Sequence, residues 1–148
     1  MQLDNLYQEV ILDHYKNPQN KKLATEFDAQ VHHVNPSCGD EITLNLRLDG
    51  DSIKSVTWEG VGCSISQASV SIMTDLVKGK NLSEAEKISE SFMHLMQSKG
   101  AEKGDEEILE DAVALAGVSQ YPARIKCALL GWMALKDASI QAKAKKNS

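Results

Sequence analysis

The sequence predicts an α+β domain in which a small three-stranded antiparallel sheet packs against helices, opened by an N-terminal helix and closed by a long C-terminal one. Three observations carry that expectation. Apolar residues among the first fifteen positions recur every three to four residues, as they do along one face of a helix. The run "EITLNLRLDG" (41–50) alternates with the strand period of two and ends in Asp49-Gly50, a hairpin-turn pair. From about residue 64 the helical spacing returns and dominates to the end.

Taken in order, Leu3, Leu6, Tyr7, Val10, Ile11, His14 and Tyr15 share one face of the first helix, which Asn17-Pro18 terminates. Residues 27–34 form an extended segment. In the next strand Ile42, Leu44, Leu46 and Leu48 point to one side. The return strand "SIKSVTWEG" is mixed: Lys54, Val56 and Trp58 fall on one face and Ile53, Ser55 and Thr57 on the other, which leaves its inward side open. A helix follows "GVGCSISQAS", with Ser64 or Ser66 as cap and Ile65, Ala68, Ile72 and Leu76 at helical spacing up to Gly79. Ser83-Glu84-Ala85-Glu86 is a capping-box sequence opening a further helix to about Gln97. The glycine-bearing, charged "SKGAEKGDEE" is a loop, and a short helix from Glu106 to Ala116 stops at Gly117. Pro122 sits in the first turn of the last helix, where its missing N–H costs nothing; residues 141–148 are expected to fray. The whole chain, 1–148, reads as a single domain.

Composition narrows the function. A chain of 148 residues, 42% hydrophobic and 25% charged, can bury roughly 70% of the surface its unfolded form exposes. A net charge of -5 opposes a nucleic-acid surface, which needs Lys and Arg to neutralise phosphates. The N-terminus lacks a basic stretch followed by an apolar one, and the apolar run from Cys127 to Leu135 spans nine residues, against the ~20 a bilayer crossing needs. A cytoplasmic protein with no membrane or nucleic-acid partner is expected. Its three cysteines, an odd number in a reducing compartment, should be free, catalytic or metal-bound.

Those cysteines lie in three contexts: Cys38 in the turn "NPSCGD", Cys63 in a glycine-rich turn before a helix, and Cys127 in the first turns of the last helix. They are 25 and 64 residues apart and form no CxxC pair, so no local zinc ribbon is present. Gly39 on one side, and Gly60 and Gly62 on the other, permit backbones that expose a thiol. Cys63 also lies near the positive end of a predicted helix. Brought together with the Asp40 carboxylate, the three sulfurs would supply the four donors of a tetrahedral zinc site. Three thiolates and a carboxylate around a dication leave a local charge of about -2, and Arg124, three residues before Cys127 on the same helix face, is placed to offset it.

Blander readings stand beside this one. Cys127, next to Ala128 and Leu129, suits a small buried hydrophobe; Asp40 suits a turn former; Arg124 suits a solvated helix residue. Adjacent His32 and His33 point to opposite faces of a strand and cannot easily share an ion. His14 and His94 read as packed or surface residues, and Trp58 and Trp132 as core or interface aromatics.

In that order, "NPSCGD", "GVGCSISQAS" and "ARIKCALLGW" resemble the U-type iron–sulfur assembly proteins, in particular the SufU branch as opposed to the IscU scaffold branch; the likeness extends to "LYQEVILDHYKNPQNK" and covers nearly the whole chain. Scaffolds of the IscU type carry a histidine directly before the last cysteine, where this chain has Lys126. Their Leu-Pro-Pro-Val-Lys motif is replaced by "GVSQYPARIK", and the segment around "SKGAEKGDEE" looks like the insertion of the SufU branch. The resemblance implies that Cys38, Asp40, Cys63 and Cys127 hold zinc, or alternatively iron or a transient iron–sulfur cluster. It implies a sulfurtransferase in which Cys38, assisted by Arg124, accepts persulfide sulfur from a PLP-dependent cysteine desulfurase of the SufS kind and feeds downstream iron–sulfur scaffold proteins. Cys38 would leave the ion as it attacks, a partner histidine taking its place, and the N-terminal helix with the loops around the site would form the docking surface. The alternatives are a scaffold on which a cluster is itself assembled and a non-enzymatic zinc-stabilised adaptor whose partner contacts, not its thiols, matter.

Overall fold

The computed structural model describes residues 5–146. The chain runs through α1 (Asn5–Lys16), β1 (Ala29–Asn35), β2 (Asp40–Asp49), β3 (Ser52–Val61), α2 (Ser64–Val77), α3 (Leu82–Gln97) and the single turn α4 (Glu106–Leu109), then a 3-10 helix (Glu110–Gln120) and α5 (Pro122–Lys146). The α+β class, the three-stranded sheet, the N-terminal helix and the long C-terminal helix are as the sequence predicts. Leu3, assigned to the apolar face of the first helix, lies outside the described residues.

The sheet has the order β1-β2-β3, antiparallel throughout. Ile42, Leu44, Leu46 and Leu48 of the central strand are buried as expected, and α5 lies across β1 and β2 on that side. The mixed pattern of the return strand has a geometric cause. Arg47 faces Ser55 but Leu48 faces Ile53, so Lys54 is an extra residue in a β-bulge. The bulge reverses the phase: Ile53 before it and Val56 and Trp58 after it are all buried, to 1% exposure or less. Because a bulge breaks the period of two, neither sequence-assigned face was the inward one.

Two helix starts differ from expectation. Cys63 itself caps α2, its sulfur accepting the Ser66 N–H, instead of Ser64 or Ser66. Asn81 caps α3 by accepting the Glu84 N–H at 2.8 Å, two residues before Ser83, and this start places Leu82 in the core. The segment read as a helix ending at Gly117 is α-helical only to Leu109; it then runs as a 3-10 helix straight through Gly117 to Gln120. Ala112 to Ala116 and Val118 are all buried, because this stretch threads between α1, α2, α3 and α5. An α-helix burying one stripe could not hide so continuous a run, and the tighter helix follows the path that packing allows. α5 extends through residues 141–146 of the segment expected to fray, with Ala142 buried.

Trp132 stacks on Phe92 at a centroid distance of 4.3 Å, and its Nε1 donates to Ser69 Oγ at 3.0 Å, joining α5 to α3 and α2. Trp58 Nε1 donates to the Gln19 carbonyl at 2.9 Å. Both tryptophans are core residues. The exposed His32 bonds Thr43, whereas His33, on the opposite face, reaches Asp137 of α5 at 2.9 Å, as strand alternation requires. His14 is buried against Ser71 Oγ at 2.8 Å and His94 is exposed beside Glu102. Tyr15, assigned to the apolar face of α1, is exposed. Among the described residues no helix is long and apolar enough to cross a membrane.

Candidate metal centre

At the end of the β1–β2 hairpin, Asn35 faces Asp40 across the two strands. The intervening turn is closed by the Cys38 N–H donating to the Asn35 carbonyl at 3.2 Å. Gly39 continues it with φ of +68°, a left-handed conformation that strains any residue with a β-carbon. Asp40 falls in the inward phase of β2 with Ile42 and Leu44, and is 2% exposed. Because α5 crosses β1 and β2, the fully buried Cys127 in its second turn meets this hairpin end, and its thiol donates to Cys38 Sγ at 3.1 Å.

The third arm comes from the end of β3. Gly60-Val61-Gly62 brings Cys63 to the start of α2, where the Cys63 N–H donates to Asp40 Oδ1 at 2.9 Å. Only glycine fits at position 62, since a β-carbon there would run into Asp40 Oδ1 and Ser66 Oγ. The Cys63 sulfur accepts the Ser66 N–H at 3.5 Å.

One ligand atom each from Cys38, Asp40 and Cys127 lie within 4.8 Å of one another. Cys63 is tied to that group through its N–H on Asp40 and through its electrostatic action on Cys127, although its sulfur is not among the three. Burial pushes the Cys127 thiol far above its ordinary range, and the neighbouring Cys38, Asp40 and Cys63 push the same way. Asp40 Oδ2 is buried without any hydrogen-bond partner. A carboxylate oxygen left bare against crowded sulfurs is costly unless a cation answers it. Sulfur and carboxylate donors in this number fit zinc, and the same set accepts iron.

Arg124 is exposed in the first turn of α5; its N–H bonds the Tyr121 carbonyl, and among the described residues its guanidinium makes no ion pair. Asn35, the first residue of "NPSCGD", is a further member of the site. It is 7% exposed, and its side-chain amide donates to Cys127 Sγ at 3.9 Å. The available signal was the phase of β1, which turns Val31, His33 and Asn35 to the same side.

Residues 6–145 match the family model described as "NifU-like N terminal domain". The chain is 50% identical over 134 residues to the zinc-dependent sulfurtransferase SufU of Bacillus subtilis, covering 90% of this chain and 89% of that one. It is 42% identical over 136 residues to the iron–sulfur cluster assembly scaffold protein IscU of Streptococcus pyogenes, covering 92% and 84%. Among solved structures, a protein of Fervidobacterium islandicum described as an iron–sulfur cluster assembly scaffold for the SUF system superposes with a TM-score of 0.82 at 35% identity, covering 88% of this chain and 94% of that one.

Proposed function

Since the chain belongs to the NifU-like N-terminal domain family, we propose that it is a zinc-dependent sulfurtransferase of the cytoplasm, taking persulfide sulfur from a PLP-dependent cysteine desulfurase for iron–sulfur cluster biogenesis. The observation that carries this reading is the gathering of two thiols and the buried Asp40 carboxylate within 4.8 Å, from places up to 89 residues apart in the chain, with one oxygen of that carboxylate left without a hydrogen-bond partner. The half-identical relative named a zinc-dependent sulfurtransferase supports it.

Cys38, Asp40, Cys63 and Cys127 are the ion's ligands in this reading. A bound zinc ion supplies the positive charge that keeps their sulfurs as thiolates. The residues then divide by mobility. Cys127 is fully buried in a helix, and Cys63 is committed to capping α2. Cys38 is partly exposed on a turn hinged by Gly39, so it is the sulfur free to reach a partner. Its thiolate attacks the terminal sulfur of the donor's persulfide; a new sulfur–sulfur bond forms on Cys38, the donor's bond breaks, and the donor cysteine departs as thiolate. Arg124, exposed one turn before Cys127, offsets the negative charge of the site, and α1 with the surrounding loops provides the docking surface. Downstream iron–sulfur scaffold proteins receive the sulfur.

The test is a desulfurase assay with Cys38→Ala. Stimulation is abolished while binding to the desulfurase persists; full stimulation by the variant contradicts the proposal. The scaffold reading, supported by the name of the Streptococcus pyogenes relative, predicts instead a brown chromophore after reconstitution that passes intact to apo-ferredoxin.

A further inference from the structure

We propose that Asn35 is the positioning residue that selects which sulfur reacts: its side-chain amide holds and damps Cys127, leaving Cys38 the one thiolate without an N–H donor. The inference rests on the sulfur-acceptor reading and adds to it the origin of the choice among three cysteines.

Asn35 links three parts of the site: the start of β2, the Cys38 turn and α5. It faces Asp40 in the strand register, its carbonyl accepts the Cys38 N–H at 3.2 Å, and its amide donates to Cys127 Sγ at 3.9 Å. Asn35 is 7% exposed, so its side-chain amide needs a partner, and here that partner is sulfur. At 3.9 Å the contact is weak for a neutral thiol and strengthens when the sulfur is anionic, since charge assistance shortens and deepens such bonds. The other helix-bound sulfur is treated alike, because Cys63 accepts the Ser66 N–H at 3.5 Å. Among the described residues Cys38 Sγ accepts only from the Cys127 thiol and from no N–H. An N–H drawn onto a thiolate stabilises its lone pair and lowers its nucleophilicity. The two anchored sulfurs are therefore muted and the mobile one is not, so chemistry and mobility select the same residue.

The test uses the full-length protein loaded with cobalt(II), whose thiolate charge-transfer band reports the energy of the sulfur lone pairs. Asn35→Leu, close in shape and without a donor, retains one cobalt per chain and moves the band to longer wavelength. In a Cys38→Ser background the same shift persists; in a Cys127→Ser background it vanishes, which assigns it to Cys127. If Asn35→Leu fails to fold, Asn35→Ser, which removes the amide but keeps a turn-forming side chain, is read in its place and gives the same shift. An unchanged band, or a shift that survives Cys127→Ser, overturns the role of Asn35 while leaving the sulfur-acceptor reading intact. A wild-type protein that gives no cobalt–thiolate band overturns both.

Discussion

Asp40 divides its two oxygens: Oδ1 accepts the Cys63 N–H at 2.9 Å, while Oδ2 is buried with no partner. One oxygen builds the site and the other is left for what the site holds. The hydrogen bond joins the hairpin that carries Cys38 to the turn that carries Cys63, so it sets the distance between two of the three arms of the centre.

Gly62→Ala tests that arrangement without removing a ligand. The added carbon would meet Asp40 Oδ1 and Ser66 Oγ, displacing the carboxylate from the Cys63 N–H. Loss of a hydrogen bond to a charged group costs roughly 1.5–3 kcal/mol, and disturbing the support of a metal ligand weakens binding about 10–100-fold. Denaturation midpoints of the metal-free protein and competition with a chromophoric chelator measure the two effects; wild-type zinc affinity in the variant would contradict the role given to Asp40.

Removing the ion should loosen the protein as well as inactivate it. A ligand present at ~1,000 times its dissociation constant stabilises by about 4 kcal/mol, and each kcal/mol moves Tm by roughly 2–4 °C in a chain of this size. Calorimetry before and after chelation should therefore find a fall of about 8–16 °C, restored by zinc. An unchanged Tm would mean that the four residues hold no ion.

Trp132→Ala removes the Phe92 stack and the bond to Ser69, both deep in the core. The expected loss is about 3–5 kcal/mol in chemical denaturation. A loss below 1 kcal/mol would contradict the packing of α5 against α2 and α3.

The His33–Asp137 pair fixes β1 to α5 and gives a pH signature. The hydrogen bond from His33, with a further one from Gln141, lowers the Asp137 carboxyl below its ordinary value. A carboxylate lowered on folding contributes stability that is fully present above its unfolded value of about 3.9 and is lost as pH falls through its folded one. The pair is partly solvated, so Asp137→Asn should cost less than about 1 kcal/mol at neutral pH. The gap from wild type should close below roughly pH 4. A gap that widens toward acid would contradict the assignment.

Much of this was legible in the chain. Alternation gave the hairpin because Ile42 to Leu48 keep one phase against a buried face. It failed in the next strand because the bulge at Lys54 inserts a residue that no local pattern announces. Serines near α2 and α3 looked like caps, yet Cys63 and Asn81 take that role, since cap choice depends on where the chain enters the helix. The 3-10 path through Gly117 follows from burial on all sides, a tertiary fact that overrides helix-stop chemistry. At the site, Cys38, Asp40 and Cys127 were legible as ligand types, and the structure gathers them. Asn35 was not, because its importance lies in facing Asp40 and reaching Cys127 across 92 residues of sequence.

The central claim is that Cys38 receives sulfur, and the most direct measurement is mass spectrometry of the zinc-loaded protein after incubation with a desulfurase and cysteine, with peptides mapped without reductant. The account predicts a mass increase of one sulfur atom on the peptide containing Cys38 and none on those containing Cys63 or Cys127. Sulfur found only on Cys63 or Cys127, or on no cysteine at all, would contradict it.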